Sequence, residues 1–191
     1  MNSTPTLNSE INQVVEMLKR GSTICYPTDT IWGIGCDATN SEAVDKIYKI
    51  KGRDTSKSML ILVDSIEALN NYVKHIPEIA ANLIKTATEP LTIIFYGAQN
   101  LAHNLYANDG TIGVRVVNHA FCTPMLQKFG KPIVSTSANI SGQPPPSLRN
   151  EIDSKIIESV DYTVYFDNEQ ASRKASRIIL LTLDDEIKFI R

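Results

Sequence analysis

Five cations crowd into the twelve-residue segment KIYKIKGRDTSK: Lys46, Lys49, Lys51, Arg53 and Lys57. In a chain whose formal charge is only -2, this is a candidate local anion site: long cationic side chains leaving a helix end can converge on a phosphate chain, and a guanidinium can grip it bidentately. The same cations also suit a helix C-terminus, so a solvated helix face accounts for them as well. A second constellation is KPIVSTSANISGQPPPS, where an apolar run opens into Ser135, Thr136, Ser137, Asn139, Ser141 and Ser147. Hydroxyls and amides at a strand exit can hold a nucleotide or a small zwitterion without adding charge, although such residues also make turns by bonding their own backbone. The third is YPTDTIWGIG, with Thr28, Asp29 and Thr30 followed by Trp32, Gly33 and Gly35. Its glycines would let a ligand approach the backbone closely. Trp32 reads as a core or wall residue.

Other chemistries lack their residues. The chain has no G-x-G-x-x-G, no G-x-x-x-x-G-K-[ST] and no G-x-S-x-G nucleophile elbow. His75, His103 and His119 stand apart, and Cys25, Cys36 and Cys122 form no C-x-x-C pair and are odd in number. That argues against a structural zinc site and a disulfide framework, and fits a reducing cytoplasm. A metal ligated by protein side chains is not expected. With 191 residues and 42% hydrophobic content the chain can bury one core, so residues 1–191 are expected to form a single domain. The balance of charge argues against tight nucleic-acid binding through a bulk basic field, so any contact with an RNA such as tRNA is expected to be weak, local or transient. The start MNSTPTLNSE is polar, and no stretch reaches the ~18 apolar residues of a membrane span. The expectation is a soluble cytoplasmic protein.

The elements that must position these residues follow from periodicity. Asn8 or Ser9 can cap a helix with apolar positions Ile11, Val14, Val15 and Leu18, which stops at Lys19-Arg20-Gly21. A buried strand is expected at 23–26, then a polar loop, then a helix from Ser41 to Gly52. Further strands are expected at 59–63, 91–96, 111–116 and 132–134, and helices at 65–73, 77–87 and 120–129. A polar loop from Ser135 to Pro146 leads to a helix at 151–160 and three strands at 162–166, 177–183 and 187–190. Early alternation of helix and strand with a late cluster of strands predicts an α/β fold with a twisted mixed parallel and antiparallel sheet flanked by helices.

Read in order, PTDTIWGIG, KGR, TIGVRV and STSANISG resemble the motif series of the YrdC-like family of L-threonylcarbamoyladenylate synthases, from about Ile24 to Arg191. The signature of that family is K-x-R followed much later by S-x-N, here Lys51, Arg53, Ser137 and Asn139. The resemblance implies an open α/β fold and a nucleotidyltransferase that joins L-threonine, bicarbonate and ATP into threonylcarbamoyl-AMP and pyrophosphate. A partner transferase then uses the product to modify tRNA. It implies that Mg²⁺ arrives with ATP; that Thr30, Arg115, Ser137 and Ser176 contact threonine; that Arg53, Lys57, Thr111, Asn139, Ser147 and Arg191 contact the nucleotide; and that Lys51 and Arg53 serve catalysis at the phosphates. Asp54 stands where the family usually has proline, Ser58-Met59 where it has proline-leucine, and Ser176-Arg177 where it has a Ser-Thr pair. The chain resembles the short, single-domain form. Two other readings remain: an RNA-binding module of the same fold without catalysis, and an enzyme of related chemistry acting on another amino acid.

Overall fold

Thr6 caps the first helix, α1 (Leu7–Lys19), by accepting from the Ser9 N–H at 3.2 Å. The cap therefore lies ahead of Asn8 and Ser9, because a threonine hydroxyl outside the helix satisfies an orphan N–H while Asn8 and Ser9 take helical geometry. Asn40 caps α2 (Ser41–Lys51) by accepting from the Ala43 N–H at 3.1 Å, and the helix stops at Gly52, whose φ of 53° is left-handed. The computed structural model describes residues 5–52, 59–166, 174–184 and 186–191. Arg53 and Lys57 lie outside the described residues.

The remaining elements are β1 (Ile24–Tyr26), β2 (Gly33–Gly35), β3 (Leu60–Val63), α3 (Ile66–Leu69), α4 (Glu78–Thr86), β4 (Leu91–Tyr96), β5 (Thr111–Val116), α5 (Cys122–Phe129), β6 (Ile133–Ser137), α6 (Ser154–Ser159), β7 (Tyr162–Thr163), β8 (Arg177–Leu181) and β9 (Ile187–Phe189). Two differ in kind from the sequence expectation. Gly33–Gly35, read as loop, is a strand; and Ser135–Ser137, read as loop, continues β6. The cause is pairing on both edges. Ser137 and Thr136 sit opposite Gly33 and Ile34 of β2, while Ser135 sits opposite Leu60 of β3. Neighbouring strands meet the backbone polar groups whatever the side chains prefer.

The strands form one sheet in the order β7-β1-β2-β6-β3-β5-β4-β8-β9. The pairs β1–β7, β3–β5 and β4–β8 are parallel and the others antiparallel, the mixed sheet the sequence implied. Alternation along the strands sends Ile61, Val63, Ile93, Phe95, Ile112 and Val114 to one face, where Val44 and Ile47 of α2, Leu69 of α3 and Ala80 of α4 pack on them. On the other face α1 and α5 cover Ile24 and Tyr26 of β1, Leu62 of β3 and Ile133 of β6. That cover does not reach β4, β8 and the far side of β5. None of the described helices is long and apolar enough to cross a membrane.

The start of α5 is held by a histidine. The Nδ1 of His119 accepts the N–H groups of Phe121 at 3.3 Å and Cys122 at 3.2 Å, a role open only to the neutral ring. Burial first, and the nearby Arg115 second, lower its pKa to about 4. The unfolded chain, with an ordinary histidine, therefore binds more protons between pH 6.5 and 4, so this contribution is complete above the ordinary value and lost as pH falls toward 4. We expect the unfolding free energy of the wild type, from urea titrations, to fall across that window by roughly 2–4 kcal/mol more than that of His119→Asn, whose side chain can still cap but cannot titrate there. Parallel pH dependences would show that the ring is not buried neutral.

Candidate functional site

The uncovered part of the sheet is a cleft of about 470 Å³. Its floor is the alternate set of strand residues: Thr92 and Ile94 of β4, Thr111, Gly113 and Arg115 of β5, Leu60 of β3 and Ile178 of β8. One wall is the loop after β1, with Thr28 and Thr30, and another is the end of β6, with Ser135, Ser137 and Asn139. Two of the three segments singled out from the sequence, YPTDTIWGIG and KPIVSTSANISGQPPPS, thus line one cleft, whereas no described residue of KIYKIKGRDTSK is among the lining residues.

Thr30 is buried, and its hydroxyl lies 2.8 Å from that of Thr28. Thr28 spends its proton on the carbonyl of Ile31 at 2.8 Å, so Thr30 is the donor within the pair and keeps oxygen lone pairs with which to accept. Arg115 is only 4% exposed. One Nη approaches Asp29 Oδ1 at 3.1 Å as an ion pair outside hydrogen-bond angles, and Nε has no hydrogen-bond partner among the described residues. A buried guanidinium with an unused edge, in a cleft, suits a planar anion such as a carboxylate. Burial raises the pKa of Asp29, and Arg115 opposes that rise without cancelling it.

Ser176 is buried, with its hydroxyl 2.8 Å from that of Thr92. Its carbonyl accepts from Arg191 Nη2 at 3.2 Å. The C-terminal backbone keeps pairing beyond β9, Ile190 N–H donating to the Ile178 carbonyl at 2.9 Å, and this carries Arg191 to the cleft edge. Thr111 lines the cleft and donates its hydroxyl to Asp109 at 2.7 Å. Thr30, Arg115, Ser137, Ser176, Thr111, Asn139 and Arg191 are therefore brought together.

Two others are not among the lining residues. Ser147 gives its backbone N–H to Glu151 at 2.7 Å. Lys51, expected at the phosphates, is 4% exposed and turned into the protein, where Ser137 O accepts from its ammonium at 2.6 Å. Gly33 lines the cleft as expected, but Gly35 does not. A Cβ on Gly35 would sit 2.0 Å from the Val134 carbonyl oxygen, so the close approach it permits is that of β6 and not of a ligand. Sequence reasoning missed Thr92, the partner of Ser176. Its signal was a polar residue, 1% exposed, inside the otherwise apolar LTIIFY. The Asp29–Arg115 pair had no such signal, since the two are far apart in sequence.

A sequence model of the family described as "Sua5_yciO_yrdC: Telomere recombination" matches residues 16–191. The chain is 35% identical over 159 residues to a threonylcarbamoyl-AMP synthase of Pseudoalteromonas translucida, covering 82% of this chain and 85% of that protein. It is 33% identical over 147 residues to one of Vibrio campbellii, covering 75% and 80%. Among solved structures it is similar to P. abyssi Sua5 complexed with L-threonine, with a TM-score of 0.84 and 25% identity over 94% of this chain and 52% of that one. E. coli YciO gives a TM-score of 0.81 at 25% identity over 98% and 90%. The chain spans little more than half the length of the Sua5 chains it matches.

The buried Arg115–Asp29 pair is asymmetric. A stranded guanidinium cannot give up its proton, whereas a stranded carboxyl can take one. In Arg115→Met the folded-state pKa of Asp29 should rise further above its unfolded value, so that stability is retained at low pH and lost as pH rises through the new value. Urea titrations at pH 5 and pH 8 should show a penalty for Arg115→Met that grows with pH, and a penalty for Asp29→Asn, roughly 3 kcal/mol, that does not. A pH-independent penalty for Arg115→Met would mean that Asp29 has relaxed into solvent.

Proposed function

The chain belongs to the Sua5/YciO/YrdC family, and from that membership together with its cleft we infer that it is a threonylcarbamoyl-AMP synthase, a nucleotidyltransferase that makes L-threonylcarbamoyladenylate and pyrophosphate from L-threonine, bicarbonate and ATP. The observation that carries the amino-acid half is Arg115: buried, in the cleft, with Nε unpartnered among the described residues and the hydroxyl of Thr30 on a neighbouring wall. This supports pairing of the substrate carboxylate with Arg115, while the lone pairs of Thr30 accept from a substrate donor and Ser137 and Ser176 complete a small hydroxyl-lined pocket. Thr111, Asn139 and Arg191, at the same cleft, are proposed to meet the nucleotide, with Arg53 and Lys57 reaching its phosphates and Ser147 adjoining.

The chemistry needs positioning more than covalent help. The threonine amine condenses with bicarbonate, losing water, to give a carbamate. A carbamate oxygen then forms a bond to the α-phosphorus while the bond to pyrophosphate breaks. Two anions must approach, so guanidinium and hydroxyl groups fixed in a partly dry cleft do most of the work. Among the described residues no aspartate or glutamate side chain lines the cleft. Mg²⁺ is taken to enter as part of the MgATP substrate, held by phosphate oxygens. One continuous sheet supports treating residues 1–191 as a single catalytic domain. The adenylate is a reactive mixed anhydride that we propose passes to a threonylcarbamoyl transferase acting on tRNA, in the cytoplasm. The alternative of a non-catalytic RNA-binding module is not favoured, given a formal charge of -2 and relatives named as synthases.

The direct test incubates the purified protein with MgATP, bicarbonate and L-threonine and follows pyrophosphate, with the adenylate identified by mass spectrometry. Release should require bicarbonate as well as threonine; equal rates in bicarbonate-depleted buffer would exclude a carbamate nucleophile. Serine lacks only a methyl group, worth about 1–3 kcal/mol in an apolar pocket, so its kcat/KM should fall roughly 10- to 200-fold below that of threonine. Equal values for serine, threonine and alanine would sink the threonine-specific reading.

A further inference from the structure

The buried ammonium of Lys51 is met by amide oxygens of a single turn. Its Nζ donates to the Ser137 carbonyl at 2.6 Å, to the Asn139 carbonyl, and to Asn139 Oδ1 at 3.2 Å. Its own carbonyl accepts from the Ser141 hydroxyl at 2.9 Å, so backbone and side chain of the same residue grip the turn that follows β6. The turn is closed from within as well: Asn139 Nδ2 donates to the carbonyls of Ile140 at 3.0 Å and Gln143 at 2.6 Å.

A lysine so engaged is poorly placed to neutralise phosphate. Moving the ammonium to a ligand would strip buried carbonyls of their donor, an exchange that gains little when a free cation could serve the same anion. We propose that Lys51 is a positioning residue, whose ammonium holds the turn at 137–141 in the conformation that presents Ser137 and Asn139 to the cleft. On this view the K-x-R and S-x-N halves of the signature are joined physically, the lysine of the first serving the backbone of the second. The inference rests on the reading above that Ser137 serves threonine and Asn139 the nucleotide. Its consequence is that Lys51 acts on both substrates alike, including parts that carry no phosphate.

The test is calorimetric titration of wild type and Lys51→Met, nearly isosteric but without donors, with L-threonine, adenosine and ATP separately. All three affinities should weaken by a common factor, about ten- to a hundredfold. Weakening of ATP alone, with threonine and adenosine unchanged, would make Lys51 a phosphate contact and overturn the proposal; three unchanged affinities would overturn it equally. Should Lys51→Met fail to fold, Ser141→Ala decides: it removes the second tie without altering charge, and must weaken all three ligands together by a smaller factor, roughly two- to tenfold. No common shift there refutes the tether. A wild-type protein that binds adenosine and ATP but not threonine would instead refute the substrate assignment, leaving the comparison of adenosine with ATP to judge Lys51.

Discussion

The concave surface depends on how closely β2 lies against β6. At Gly35 the two backbones leave no room for a Cβ, which would meet the Val134 carbonyl oxygen at 2.0 Å and the Tyr26 ring at 3.1 Å. Because β6 pairs with β2 on one edge and β3 on the other, this seam makes the two halves of the sheet continuous. It also fixes where the chain exits. Ser137 ends β6 opposite Gly33, close to the loop that carries Thr28 and Thr30, so the hydroxyls of two segments about a hundred residues apart share one wall. Any side chain at Gly35 would have to part the strands, and with them the two walls of the cleft.

On this frame the distribution of helices decides where a ligand can go. One face of the sheet is buried under α2, α3 and α4, and the other is covered by α1 and α5 only over β1, β6 and β3. The remainder of that second face would be an apolar liability if its strands alternated in the usual way. Instead it carries Thr92, Thr111, Gly113 and Arg115 among Leu60, Ile94 and Ile178. The strands are thus apolar where they meet helices and mixed where they meet the cleft, which is the composition of a small-molecule site.

Charge is handled locally. A protein with a formal charge of -2 attracts no anion by its overall field. Arg115 is buried against Asp29, leaving little net charge in the cleft floor until an anion engages its free edge. Lys51 is spent on backbone oxygens, and Arg191 reaches the cleft while bonded to the Ser176 carbonyl. Each cation is therefore held in place before substrate arrives, and preorganised dipoles and charges cost no rearrangement at the moment of reaction.

By itself the sequence determined the element types along most of the chain, the mixed sheet and two of the segments that line the cleft. Helical and strand periodicity are local properties, and runs such as LTIIFY or the pattern of Ile11, Val14, Val15 and Leu18 declare them. Motif order was legible for the same reason. Tertiary structure alone decided what each polar residue faces. Ser135–Ser137 became strand because two neighbours bond its backbone; Gly35 serves a strand and not a ligand; Lys51 turns inward to carbonyls 86 and 88 residues away. Asp29 meets Arg115, and Thr92 meets Ser176, across comparable distances in the chain. A residue type states which bonds it can make, but its partner is set by sheet register and helix cover, which arise from the packing of the whole chain and leave no mark on the few residues around it.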